Sequence, residues 1–188
     1  MTNTARRLAG LACMAAAVGW LTLVAPAAHA ASAAELDRDS ANALSSLVKS
    51  NSGARALAKD ARAILVFPTI VKGGFIFGGQ FGDGALRQGG KVEGYYRSIA
   101  ASYGLQAGVQ AFGYALFFMN DEALDYFRKS EGFEIGVGPS IVVLDQGMAT
   151  ALTTTTARSD VYAVFFDQKG LMAGIGLQGT KITEIHPK

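Results

Sequence analysis

The stretch Lys72-Gly73-Gly74-Phe75-Ile76-Phe77-Gly78-Gly79-Gln80-Phe81-Gly82-Asp83-Gly84 holds six glycines and three phenylalanines in thirteen residues, and its reading decides the fold. A phosphate-cradling loop needs G-x-x-x-x-G-K-S/T or G-x-G-x-x-G. Neither spacing occurs within the stretch. Read as part of a strand over 71–81, alternate residues separate cleanly: Gly74, Ile76, Gly78, Gln80, Gly82 and Gly84 fall on one face, and Phe75, Phe77, Phe81 and Asp83 on the other. An interior glycine costs roughly 0.5–1 kcal/mol relative to alanine, and a buried phenylalanine returns about 1.5–3 kcal/mol. A bare face of this kind implies that something packs close to it. Two readings follow: tight curvature or close sheet packing in a barrel-like or sandwich body, or a glycine-lined groove for an acyl chain or polar head.

The pattern is echoed by Gly104-Leu105-Gln106-Ala107-Gly108, and more loosely by Gly132-Phe133-Glu134-Ile135-Gly136 and Gly176-Leu177-Gln178-Gly179. Around it, β-branched and aromatic runs punctuated by glycine predict further strands at 92–99, 103–118, 133–144, 161–166, 171–178 and 181–185. Asp167-Gln168-Lys169-Gly170 reads as a hairpin turn. Ile64-Leu65-Val66-Phe67 reads as a short strand halted by Pro68.

Helical spacing dominates before residue 63. Leu36, Ala43, Leu44, Leu47 and Val48 recur at three- and four-residue intervals over 32–50, with Glu35, Asp37 and Asp39 early. Asn51-Ser52-Gly53 breaks that helix, and 54–63 resumes helical composition. A third helix is predicted at Asp121-Glu122-Ala123-Leu124-Asp125-Tyr126-Phe127-Arg128-Lys129-Ser130-Glu131, started by Asn120 and closed by basic residues before Gly132. The 153–159 segment is polar and reads as a loop. The fold class is therefore α+β: a mostly antiparallel, glycine-rich sandwich or barrel-like body with N-terminal helices and one short inserted helix.

Residues 1–30 read as a secretory signal. Arg6 and Arg7 precede an uncharged run from Leu8 to Ala28, closed by Ala28-His29-Ala30. Lipidation at Cys13 and an uncleaved anchor over 8–28 are alternatives; the long apolar run after Cys13 and the small residues at its end favour cleavage. Sec and twin-arginine export both fit. The expected mature domain is 31–188, exported to the periplasm or beyond, with association to an envelope membrane. Without Arg6 and Arg7 its basic and acidic residues balance at 15 each, so nucleic-acid steering is not implied. The only cysteine goes with the signal, and His186 is the histidine that stays.

By this point an ordered series of motifs is on view: Ala63-Ile64-Leu65-Val66-Phe67-Pro68, Val71-Lys72-Gly73-Gly74-Phe75, Gly78-Gly79-Gln80-Phe81-Gly82-Asp83-Gly84, Ala101-Ser102-Tyr103-Gly104-Leu105-Gln106-Ala107-Gly108, Asp121-Glu122-Ala123-Leu124 with Phe127, and Lys169-Gly170-Leu171-Met172-Ala173-Gly174. In these the chain resembles the SYLF domain, over roughly 36–185. The resemblance implies lipid binding. Phosphoinositide recognition and actin association belong to eukaryotic members with added interaction modules, which this chain lacks. Actin is not expected as a partner of an exported bacterial-type protein, so generic anionic-phospholipid binding is what transfers.

Arg55, Lys59 and Arg62 fall at i, i+4 and i+7, a short basic face opposite Leu57, Ala61 and Ile64. Its plain alternative is a solvated helix surface. Three cations contribute roughly 3 kcal/mol at an anionic bilayer. Lys72, which matches the family motif, joins them as a head-group candidate. An enzyme would need a nucleophile and base, and a domain with no cysteine and only His186 excludes Ser-His, Cys-His and histidine-rich metal sites. No cofactor and no metal site is expected, unless loops bring Asp83 and Glu93 together on a cation. The expectation is a non-enzymatic lipid-binding domain. The alternative is an envelope interaction protein that contacts another protein through an apolar or edge-strand surface.

Overall fold

The computed structural model describes residues 31–74, 77–103, 108–144, 159–170, 177 and 179–188. The leader, residues 104–107 of the first echo, Gly176 and Gln178 of the last, and most of the expected strand at 171–178 and loop at 153–159 lie outside them. The described elements are α1 (Ala33–Ser50), α2 (Ser52–Asp60), β1 (Ala63–Gly74), β2 (Phe77–Gln88), β3 (Lys91–Tyr103), β4 (Gly108–Phe118), α3 (Asp121–Lys129), β5 (Phe133–Glu134), β6 (Ile141–Leu144), β7 (Val161–Gly170) and β8 (Lys181–Ile185).

Local chemistry sets the helix ends. Ser32 and Glu35 form a reciprocal capping box at the start of α1. Asn51 closes α1 with its backbone and caps α2 with its side chain, which accepts from the Ala54 amide at 2.9 Å. The helix expected over 54–63 thus begins at Ser52 and stops at Asp60. Asn120 starts α3 as expected, accepting from the Ala123 amide at 2.8 Å.

All eight strands join one sheet in the order β5-β8-β3-β2-β1-β4-β7-β6, antiparallel except where β6 meets β7. The two edges are β5 and β6, joined through residues 135–140 alone. A flat eight-stranded sheet would measure about 34 Å across, whereas the seven peptide units from Glu134 to Ile141 reach about 25 Å at most. The sheet must therefore curl, and it is the barrel-like alternative, as a half-barrel, that the chain adopts. Both ends of the connection are fastened: the Ile135 amide donates to Thr180 O at 2.9 Å, and the Val161 amide to Ser140 O at 3.0 Å.

Central β1 is covered on both faces, which explains its unbroken apolar start. Leu65 and Phe67 face the concave side, packed with Ala123, Leu124 and Phe127 of α3. Ile64 and Val66 face the convex side, packed under Leu47, Ala54 and Leu57 of α1 and α2. Tyr114, fully buried on the concave side, donates to Ser98 Oγ at 2.7 Å; burial pushes its phenol well above the usual tyrosine range.

Four local expectations are corrected. First, 71–81 is not one strand but the two arms of a hairpin, with Lys72 opposite Gln80, Gly73 opposite Gly79 and Gly74 opposite Gly78. Second, Pro68 does not halt its strand. β1 runs through it with an extra residue between Phe67 and Ile70 against β4, and between Val66 and Val71 against β2. A bulge is where a central strand tolerates a residue that cannot donate to the ladder. Third, Asp167–Gly170 is not a hairpin turn. β7 continues to pair with β4 through Lys169 and Gly170, and Asp167, with φ 50°, is the extra residue of a bulge facing Phe112. The strand expected over 133–144 is two short pieces, one on each edge of the sheet.

The bulge in β1 accounts for the bare face of β2. A Cβ on Gly82 would lie 2.3 Å from Thr69 O, and one on Gly84 would lie 2.3 Å from Val66 O. Of the two readings, close packing is the one realised at these positions.

Candidate functional site

The four residues expected to bind a lipid head group do not assemble into one face. Arg55 lies on α2, and its guanidinium donates to Val48 O and Lys49 O, both at 2.8 Å, satisfying carbonyls at the end of α1. Lys59 is exposed in the last turn of α2. Arg62 lies beyond the end of the helix: its backbone amide already joins β4 at Phe118 O, and its side chain pairs with Asp121 of α3 at 3.6 Å. The i, i+4, i+7 spacing is therefore not a single helical face. Lys72 stands apart on β1 and is only 6% exposed.

Strand pairing gives Lys72 its neighbours. Gln110 lies opposite it on β4 and Gln80 opposite it on β2, both buried, forming a polar row across three strands on the concave face. Gln80 Nε2 donates to Oγ1 of fully buried Thr180 at 3.3 Å. Gln110 Oε1 has no hydrogen-bond partner among the described residues. The next row inward is apolar, with Ile70 and Phe112. An unsatisfied buried acceptor costs about 1–3 kcal/mol, and a buried ammonium is stable only with acceptors or counter-charge around it. This end of the concave face is therefore polar where the next row is apolar, with an acceptor on Gln110 still open among the described residues. Sequence reasoning found Lys72 and noted Gln80 between its glycines, but missed Gln110 and Thr180, because neither stands in a distinctive motif.

The convex face at the same end is apolar and open. Val71, Phe81, Ile99 and Val109 are 38%, 60%, 50% and 70% exposed. The first three line a groove of about 600 Å³ beside Leu36 of α1 and Pro68. Asp83 and Arg97 border it as a bidentate ion pair, 2.7 and 2.8 Å, and the hydrogen bonds that Arg97 donates to the Asp83 carboxylate hold the guanidinium even more firmly protonated than usual.

Asp83 and Glu93 do not share a cation site: Asp83 is bound by Arg97 and Glu93 by Arg128. Among the described residues no group of three or more His, Cys, Asp or Glu side chains could hold a metal, and no helix is long and apolar enough to cross a membrane. The one G-x-G-x-x-G spacing in the chain, Gly174 to Gly179, leads into β8. A dinucleotide loop would open a helix there.

The described elements form an α+β half-barrel domain. Residues 99–187 match the family model Ysc84, described as Las17-binding protein actin regulator, and this is the SYLF domain family to which the motifs point. No curated protein matches the chain.

Proposed function

We propose that the chain is a non-enzymatic lipid-binding domain that associates with anionic phospholipid head groups at a membrane surface. The observation that carries the reading is the buried row Gln110, Lys72, Gln80 with Thr180, polar side chains set at the end of an otherwise apolar concave face. Lys72 supplies the cation for a phosphate group, and Gln110 Oε1 an acceptor for a head-group hydroxyl or amine. Arg55, Lys59 and Arg62 add attraction at the surface, where each cation contributes about 1 kcal/mol. The leader-like residues 1–30 support export, with cleavage after Ala30, so the lipid would be that of an envelope membrane.

The test is co-sedimentation of residues 31–188 with phosphatidylcholine vesicles, with and without phosphatidylglycerol, for the native domain and for Lys72→Met. Anionic preference that falls in Lys72→Met, with circular dichroism unchanged, supports the reading. Equal binding to both vesicles, or none, ends it. A second reading, contact with an envelope protein, is favoured by edge strand β6, where Val142 and Val143 are 40% and 39% exposed. Cross-linking in cells that yields one dominant protein adduct and no lipid would select it.

A further inference from the structure

We propose that the convex apolar row at the β1–β2 hairpin end is the face that seats the domain on an anionic phospholipid bilayer. The inference rests on the lipid-binding reading above and names the contact face.

Pairing places Val71 opposite Phe81 and Phe81 opposite Ile99, so the three stand side by side across β1, β2 and β3. Val109 lies one step further toward the hairpin end, opposite Gly73. The row continues at both ends into an exposed lysine: Lys181 lies opposite Ile99, and Lys169 opposite Ala111, itself the partner of Val71. A lysine can lay its aliphatic stem along an apolar surface and reach the phosphate layer with its ammonium. Apolar side chains in the middle with cations on both flanks suit the boundary between acyl chains and head groups. Of the acidic groups nearby, Asp83 is bound by Arg97, Asp39 at the groove wall is paired with Arg38 at 3.1 Å, and Glu134 lies beyond Lys181 at the sheet edge.

A bilayer fits this face because the strands that carry it are inner strands. β1, β2 and β3 each have a partner on both sides, as does β4, so the patch offers no free ladder edge to a protein. What remains is undirected apolar contact and charge. The covering helices bury the same face further along, at Ile64 and Val66, and leave the row open beyond Leu36.

The experiment uses a single-tryptophan reporter. The chain's only tryptophan is Trp20, so residues 31–188, which carry every helix and strand described, contain none. Phe81→Trp should shift its emission to the blue on phosphatidylglycerol-containing vesicles and be quenched by acyl-chain bromine. A Phe81→Ser/Ile99→Ser variant should lose partitioning by at least about tenfold with its fold intact. Lys169→Gln and Lys181→Gln should each lose about fivefold. Co-sedimentation of the Phe81→Trp variant with its emission unshifted and unquenched would overturn this face while leaving the lipid-binding reading in place. No co-sedimentation with any vesicle would overturn both. A blue shift that needs no vesicles and follows dimer formation in size-exclusion chromatography would overturn it in favour of self-association.

Discussion

Gly82 lies so close beneath the bulge of β1 that a Cβ on it would meet Thr69 O at 2.3 Å and Ile70 Cδ1 at 2.7 Å. The carbonyl is backbone of a central strand and has no room to withdraw. Gly82→Ala should therefore destabilise the domain by about 1–3 kcal/mol, the usual range for overpacking. Gly79 is the control, with its nearest neighbour, Ala100 O, at 3.6 Å. Gly79→Ala should be neutral or slightly stabilising in urea denaturation.

Replacing Lys72 and Gln110 together by Met and Leu tests what the concave polar row is for. If these residues are kept for a ligand, apolar substitutes of similar size should raise the stability of the lipid-free domain, by about 1–4 kcal/mol on the precedent of buried ionic groups. They should also abolish any co-purification of lipid with the domain, read by native mass spectrometry. Lower stability with unchanged lipid would make the row purely structural.

Arg55 and Lys59 should separate in their effects. Arg55→Ala strips two hydrogen bonds from the end of α1 and should lower stability by about 0.5–1.5 kcal/mol. Lys59→Ala, on the exposed last turn of α2, should leave the melting temperature within a degree or so while weakening vesicle binding at low salt. Thermal melts and co-sedimentation in parallel decide it.

Asp160 gives the domain an acid-sensitive fastening. Its carboxylate accepts from the Ser140 hydroxyl and amide, 2.8 and 2.9 Å, and from Asn120 Nδ2 at 2.8 Å. These bonds, the Ser140 hydroxyl first, hold its pKa below the ordinary aspartate value of 3.8. A depressed folded-state pKa contributes stability that is present above the unfolded value and lost as pH falls through the folded one. Asp160→Asn should thus lower the melting temperature at pH 7, and the gap from the native domain should close as the pH falls through the depressed folded-state pKa of Asp160.

The helices were legible because their signals are local: a cap, an early acidic residue and a three-to-four spacing suffice for α1 and α3. The glycine stretch shows the opposite case. Phe75 and Ile76 carry no turn chemistry, so the reversal between β1 and β2 left no mark in the sequence. The faces were nevertheless assigned consistently, because the pairs Lys72–Gln80 and Gly74–Gly78 join residues an even number apart. Folding the strand back on itself kept even positions beside even positions. Pro68 misled because its missing donor is tolerated only at a bulge, which depends on two neighbouring strands at once. Lys72 was found by motif, but its burial among Gln80 and Gln110 follows from β4 pairing with β1 some forty residues later. The basic spacing failed as a helical face because α2 ends at Asp60, where β1 draws the chain into the sheet.

The short link between the two sheet edges also orders assembly in time. β1, β2 and β3 are consecutive in the chain and pair consecutively, and β4 then joins β1, so residues 63–118 can zip together as soon as that part of the chain is free to pair. β5 and β6 come next, yet each pairs only with a later strand, β8 and β7 respectively. Segment 133–144 therefore waits, its apolar side chains unhoused, until β7 and β8 in the last thirty residues are free to pair with it. That interval is when the nascent domain is most open to capture by a chaperone or a protease.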